Sequence, residues 1–267
     1  MKKLNLTRAL FIGLALTTAL YSCKKEKPLE TETLENPESL SVNPLGDIKI
    51  CTEMTLDGTT PRGAVLASKK WVPGTTIKVS LNGSTTAIRN KVIQYAREWE
   101  KYANIKFNFV TNDRTASIRV SFKSGDGSWS YIGTDANSIS RNNATMNFGW
   151  LTSTTADSEY SRVVIHEFGH ALGMIHEHQH PLVAIPWDKP AVYAYYAGAP
   201  NYWTQAQVDN NLFAKYSTSQ TNYSAYDKTS IMHYSVPNEL TIGDFEVGWN
   251  TVLSATDKSF IASVYPF

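Results

Sequence analysis

Three histidines and a glutamate stand within the eleven residues HEFGHALGMIH, as His166, Glu167, His170 and His176. His166 and His170 are four apart, so on a helix they lie one turn apart on the same face, close enough to share a metal ion. Zinc takes imidazole nitrogen readily, and three protein ligands leave a fourth position for a water whose pKa falls to about 7 on the metal. Glu167 is then placed to act as the general base for that water. A third imidazole from the same straight helix would point past the ion. Gly173 removes the difficulty: lacking a Cβ, it can enter the left-handed conformation that ends a helix, which lets His176 approach from another side. HExxH alone occurs by chance on solvated helices, but here the longer HExxHxxGxxH pattern is complete. Five of the six histidines fall between His166 and His180. The chemistry this implies is hydrolysis of a peptide bond.

The elements around these residues have to position them. The helix carrying His166 is expected to start near Asp157 or Ser158, either of which can cap it, and to stop at Gly173. Thr76 to Leu81 alternates as a strand, and Thr85 to Tyr102 is the clearest amphipathic helix, with Ile88, Val92, Tyr95, Ala96, Trp99 and Tyr102 as its core face. Ile105 to Val110, Ser117 to Phe122 and part of Asn137 to Phe148 read as further strands, one of which forms a sheet edge for an extended substrate. Gly125 to Gly133 reads as a glycine-rich loop whose spacing is too irregular for a phosphate cradle. Beyond His180 the chain is irregular, with a short helix around Gln205 to Phe213 and a last helix, capped by Ser254, that buries Phe260, Ile261 and Val264. No internal repeat is visible.

Ahead of these elements, residues 1–22 read as a signal peptide, with Lys2, Lys3 and Arg8 before an apolar run too short to span a membrane. Leu20, Tyr21, Ser22 and Cys23 resemble a bacterial lipobox, which would place a lipid on Cys23 and the chain on the cell envelope; plain secretion is the alternative. Residues 23–62 read as a tether and an inhibitory prosegment, because Lys24 to about Leu45 holds too few apolar residues to fold alone. Cys23 and Cys51 are the two cysteines, both outside the expected folded domain, so a disulfide scaffold is excluded. A thiolate is a strong zinc ligand, and Cys51 is expected to plug the metal site of a latent precursor, with Asp47 as the rival plug. Thr60 to Gly63 reads as a cleavable loop; a cut after Arg62 by an activating protease would release residues 63–267 as the catalytic domain.

HEFGHALGMIHE, with Glu177 directly after the third histidine, and SIMHY at Ser230 to Tyr234 together resemble the astacin family of metzincin zinc endopeptidases. GSWSYIG at Gly127 to Gly133 and the pair Tyr226, Asp227 are weaker echoes. The resemblance implies an α+β fold of metzincin type, with a twisted, mostly antiparallel-edged sheet over an active-site helix and a loop-rich C-terminal subdomain. It implies Zn2+ as cofactor on His166, His170 and His176, Glu167 as the base, Met232 in a turn beneath the metal, and Tyr234 as a mobile ligand that swings out to the oxyanion. It implies further that Glu177 holds the amino terminus freed by processing. Departures are visible too: the domain lacks the usual cysteines, Pro44 replaces the aromatic of the family's prosegment plug, and His180 replaces an arginine.

The net charge of +1 is uninformative, and no basic cluster with interleaved aromatics suggests nucleic acid, so none is expected as a partner. The expected partners are protein or peptide substrates and the activating protease, with a membrane only through Cys23 and the chain a monomer. Two rival functions remain at this stage: an amidase acting on cell-wall peptides, and an inactive adhesive protein on a protease scaffold.

Overall fold

The computed structural model describes residues 49–54, 56, 68–199, 201–218 and 223–267. The expected signal peptide, the lipobox at Cys23, Asp47 and the cut after Arg62 lie outside these residues. Among the described residues six strands form one sheet: β1 (Cys51–Met54), β2 (Thr76–Leu81), β3 (Lys106–Val110), β4 (Ile118–Ser121), β5 (Ser128–Tyr131) and β6 (Met146–Phe148). Their order is β1-β5-β6-β4-β2-β3. Accompanying them are the helices α1 (Thr86–Ala96), α2 (Asp157–Ala171), α3 (Lys189–Ala197), α4 (Gln205–Val208) and α5 (Ala255–Val264). The fold is α+β. Its antiparallel pairing, β5 with β6, lies at the end of the sheet that meets α2, and the other neighbours run parallel.

Hydrophobic patterning accounts for the main layers. On β2, Ile77, Val79 and Leu81 are buried on one side of the pleat, as the alternation requires. On α1, Ile88, Val92 and Ala96 form the buried stripe, and Thr85 caps the helix by accepting from the amide of Ile88. The amphipathic pattern runs on past α1 because the chain continues as a tighter turn at Trp99–Lys101. Trp99, fully buried, donates its indole N–H to the carbonyl of Ile165 at 2.9 Å. Trp71 and Tyr265 donate to Ala171 and Leu172 at 2.8 and 2.6 Å. Three ring donors therefore fix the C-terminal part of α2, the part that carries the histidines.

Several elements differ from the sequence reading. The glycine-rich stretch contains β5, a short strand whose Ser128 and Ser130 are buried; four residues cannot display a period. The cap of α2 is Ala156, without a side-chain bond, because Asp157 sits in the first turn and pairs with Lys91 of α1 at 2.5 Å. An acidic group there also complements the helix dipole. Helix α3 arises in a region read as irregular, started by Asp188 accepting from Ala191 and by a proline in the first turn. It builds a second core around Val192, Tyr196, Val208, Leu212 and Leu240, against which Tyr234 packs. Cys51 also moves: expected outside the folded part, it is 1% exposed within the main core. The prosegment residues Cys51–Met54 carry no strand signal of their own, because a lone strand buries little until it pairs with an edge, here β5. Among the described residues no helix is long and apolar enough to cross a membrane.

Candidate metal centre and cleft

Helix α2 brings His166, Glu167 and His170 into one buried stripe, and its end brings in the third imidazole. Gly173 has φ +97°, with its amide on the carbonyl of His170 and that of Met174 on the carbonyl of Gly169, the two bonds of a Schellman ending. The chain then turns back, and His176 faces the other two. The Nε2 atom of His170 lies 3.1 Å from that of His166 and 3.1 Å from that of His176. On the far side of the rings, Nδ1 of His166 donates to Ile231 and Nδ1 of His170 to Met174, both at 2.8 Å. Those carbonyl partners hold the proton on Nδ1 and leave the Nε2 lone pairs turned inward. Burial drives the pKa of His166 and His176 well below the usual histidine value, with the neighbouring imidazoles adding to it, and that of His170 to about 4. Three neutral imidazoles with converging lone pairs are a donor set fitted to zinc, and they form the group able to hold a metal ion among the described residues.

Glu167 is fully buried, and neither of its carboxylate oxygens receives a hydrogen bond of ordinary geometry. Burial raises its pKa to about 8, against the lowering effects of the Cys51 thiol and the Arg162 guanidinium. Cys51 is not a member of the histidine cluster; its thiol faces Glu167 and Arg162, and burial, followed by the charge of Glu167, pushes its pKa well up. The hydroxyl of Tyr234 donates to the main-chain carbonyl of Cys51, while its ring stacks on His178 with centroids 4.2 Å apart. The sequence-predicted residues Glu167, Tyr234 and Cys51 therefore meet at one point beside the three histidines.

Three further residues were not singled out in the sequence. Glu53, two positions beyond Cys51 and on the same side of β1, is buried, accepts from the hydroxyl of Tyr216, and lies 3.7 Å from His176 through its other oxygen. Burial raises the Glu53 carboxyl to about 7. Tyr216 is held in turn by its amide on the carbonyl of Gln179. Arg162 stands one turn before His166 on α2 and forks onto Glu159 with two contacts of 2.7 Å. The turn spacing from Arg162 to His166 was available as a signal; the partners of Glu53 were not.

Beneath the site, Met232 packs so closely on α2 that a Cβ on Gly169 would meet its sulfur at 2.5 Å. The amide of Glu177 donates to the carbonyl of Met232, and the Glu177 carboxylate accepts from the amide of Asp227 at 2.8 Å. Burial raises Glu177 to about 8; the Asp227 amide opposes this, and the charges of Asp257 and Asp227 reinforce it. Glu177, Ser224, Asp227, Asp257 and Phe260 line a cavity there. His180, placed where an arginine was expected, engages the carbonyl of Ser224 at 3.0 Å through Nε2 and accepts from the amide of Leu182 through Nδ1.

The sequence profile of the Astacin peptidase family matches residues 64–244. The chain belongs to the astacin family. Zinc is the metal that this family and this donor set share, and the metzincin architecture accounts for the sheet above α2 and the loop-rich half below it. The structure of myroilysin is similar over 77% of this chain and 99% of its own, at 64% identity and a TM-score of 0.74. Among curated proteins, Protein SpAN of Strongylocentrotus purpuratus is 25% identical over 224 residues, covering 76% of this chain and 32% of its own length. Blastula protease 10 of Paracentrotus lividus is 28% identical over 185 residues, covering 65% of this chain and 26% of its own. The chain thus spans about a third or less of the length of these curated relatives.

Proposed function

We propose that the chain is an exported zinc-dependent endopeptidase made in a latent form, in which its own residues 49–54 occupy the cleft. The observation that carries this reading is the seat of β1: it pairs with β5 along the sheet edge and brings Cys51 against Glu167 and Tyr234. An extended substrate adding to the same edge of β5 would compete for that place, so the two cannot be bound together. Family membership, the histidine cluster and the similarity to myroilysin support the activity.

His166, His170 and His176 would hold the ion. Zinc bound there supplies Lewis acidity, polarising a carbonyl and making water a nucleophile near neutral pH. Glu167, fully buried beside the histidines, is placed to accept the proton of the attacking water and to pass it to the leaving amine. Once β1 leaves, the Tyr234 hydroxyl loses the Cys51 carbonyl and becomes a donor for the oxyanion that develops on the scissile carbonyl. Met232 packs beneath the histidines and keeps their helix in place.

Latency has two anchors in this reading. The Cys51 thiol covers Glu167, and Glu53 ties the next turn of the pleat to Tyr216. A cut near Arg62 would free an amino terminus. The Glu177 carboxylate, half-buried beside its cavity with Asp227 and Asp257 as acidic neighbours, is the group able to receive that ammonium. Export through residues 1–22 and a lipid on Cys23 belong to the same proposal. The test is digestion of casein before and after a trypsin-type cut. The cut protein should digest casein and lose this to a chelator; cleavage of cell-wall peptides alone, or no cleavage, would overturn the reading in favour of the amidase or the binding protein.

A further inference from the structure

The three histidines differ in what stands behind their rings. Nδ1 of His166 and Nδ1 of His170 donate to the main-chain carbonyls of Ile231 and Met174, both at 2.8 Å, and neither carbonyl belongs to the segment that leaves on cutting. Behind His176 the partners are side chains. Gln179 bonds its ring, and Oε2 of Glu53 lies 3.7 Å from its Nδ1. The same oxygen is 3.9 Å from Nδ1 of His170 and receives no hydrogen bond of its own. Tyr216 joins these groups into one set: its hydroxyl donates to Oε1 of Glu53 and stands 3.2 Å from Oε1 of Gln179. Gln179 is fixed in turn by donating to the carbonyl of Asn210 at 2.9 Å. Gln179 and Tyr216 stay with the catalytic domain. Glu53, the charged member of the set, lies on β1.

We propose that in the latent chain Glu53 completes the zinc site from behind, by orienting and polarising His176, so that residues 49–54 promote metal uptake as well as block the cleft; this rests on the latent-peptidase reading above. A carboxylate behind a metal-binding imidazole fixes the ring and raises its basicity, and loss of such a partner costs about ten- to a hundredfold in metal affinity. His176 needs that help more than the other two ligands. It comes from the turn after α2, not from the helix, and the partner it retains, Gln179, is neutral. The chain therefore binds zinc more tightly before cutting than after it. By linkage, zinc holds β1 in its seat by the same factor.

The test is equilibrium competition for zinc between the uncut chain and a chromophoric chelator, in mildly alkaline buffer, for the wild type and Glu53→Gln. Glutamine keeps an oxygen for the Tyr216 hydroxyl and removes the charge. The uncut Glu53→Gln chain should bind zinc about tenfold more weakly than the uncut wild type. After cutting near Arg62 and removal of the freed segment, the two domains have the same sequence and should bind zinc equally. Equal affinities of the two uncut chains would overturn the role of Glu53. Absence of zinc binding in every form would instead strike the metallopeptidase reading. Should Glu53→Gln unseat β1, seen as rapid reaction of the Cys51 thiol, a second measurement decides. In Cys51→Ser, where no thiol can reach the metal, the cut should lower zinc affinity about tenfold, and an unchanged affinity there would overturn the proposal.

Discussion

Nδ1 of His166 lies 2.8 Å from the carbonyl oxygen of Ile231, and the amide of Ile231 is held in turn by Asp257 of α5 at 2.8 Å. Asp257 also accepts from the Ser230 hydroxyl at 2.7 Å and from the amide of Ser254, where it completes the capping box of α5. One buried carboxylate near the end of the chain therefore fixes the turn that orients a metal ligand. Replacing it with asparagine puts an N–H against at least one of three donors. Asp257→Asn should cost about 2 to 3 kcal/mol of stability, read by denaturant unfolding, and weaken zinc binding about tenfold in a chelator competition. An unchanged midpoint together with unchanged zinc affinity would mean that α5 does not support the site.

Gly169 allows α2 to approach Met232. An added methyl would lie 2.5 Å from the Met232 sulfur and 3.1 Å from the ring of Trp99, which is fully buried. The methionine can move, but only away from the histidines it supports, and the indole cannot. Gly169→Ala should lower stability by about 1 to 3 kcal/mol despite alanine's better helix propensity. A stabilised variant would show that the contact is loose.

The Glu53 hydroxyl partner, Tyr216, makes a prediction about the latent chain. Cys51 is 1% exposed, so in the uncut protein its thiol should react with a thiol reagent far more slowly than a free thiol does. Tyr216→Phe leaves the buried Glu53 carboxylate without its donor and should raise that reactivity about tenfold by loosening β1. Equal reactivity in wild type and variant would place the hold on β1 elsewhere.

In the proposed latent form, Glu177 would link processing to the cleft. In the cut protein, Glu177→Gln removes the partner of the new ammonium, so the gain in stability that follows cutting of the wild type should shrink by about 1 to 3 kcal/mol. Thermal unfolding before and after the cut measures this; an undiminished gain in the variant would separate Glu177 from processing.

Legibility followed the length and periodicity of each element. The ligand helix, β2 and α5 were readable because apolar spacing, the capping serine Ser254 and the glycine at 173 each declare themselves locally. β5 is hidden by its shortness and its serines, whereas α3 carries a local start signal in Asp188 and the proline at 190 but lacks a long amphipathic stripe. Cys51 was picked out for its chemistry, but not its neighbours: that its thiol faces Glu167 and Arg162 depends on the register of β1 against β5, a long-range pairing that no local pattern encodes. Glu53 was missed for the same reason, since its role comes from Tyr216, 163 residues away.

In the proposed mechanism Glu167 moves the proton at a site where His166, His170 and His176 hold zinc. The most direct measurement is kcat/KM on an extended peptide, with zinc content determined on the same samples, for the processed wild type and Glu167→Gln. Glu167→Gln should lower kcat/KM by at least about a hundredfold with zinc content unchanged. A Glu167→Gln protein that binds zinc and cleaves at the wild-type rate would contradict it.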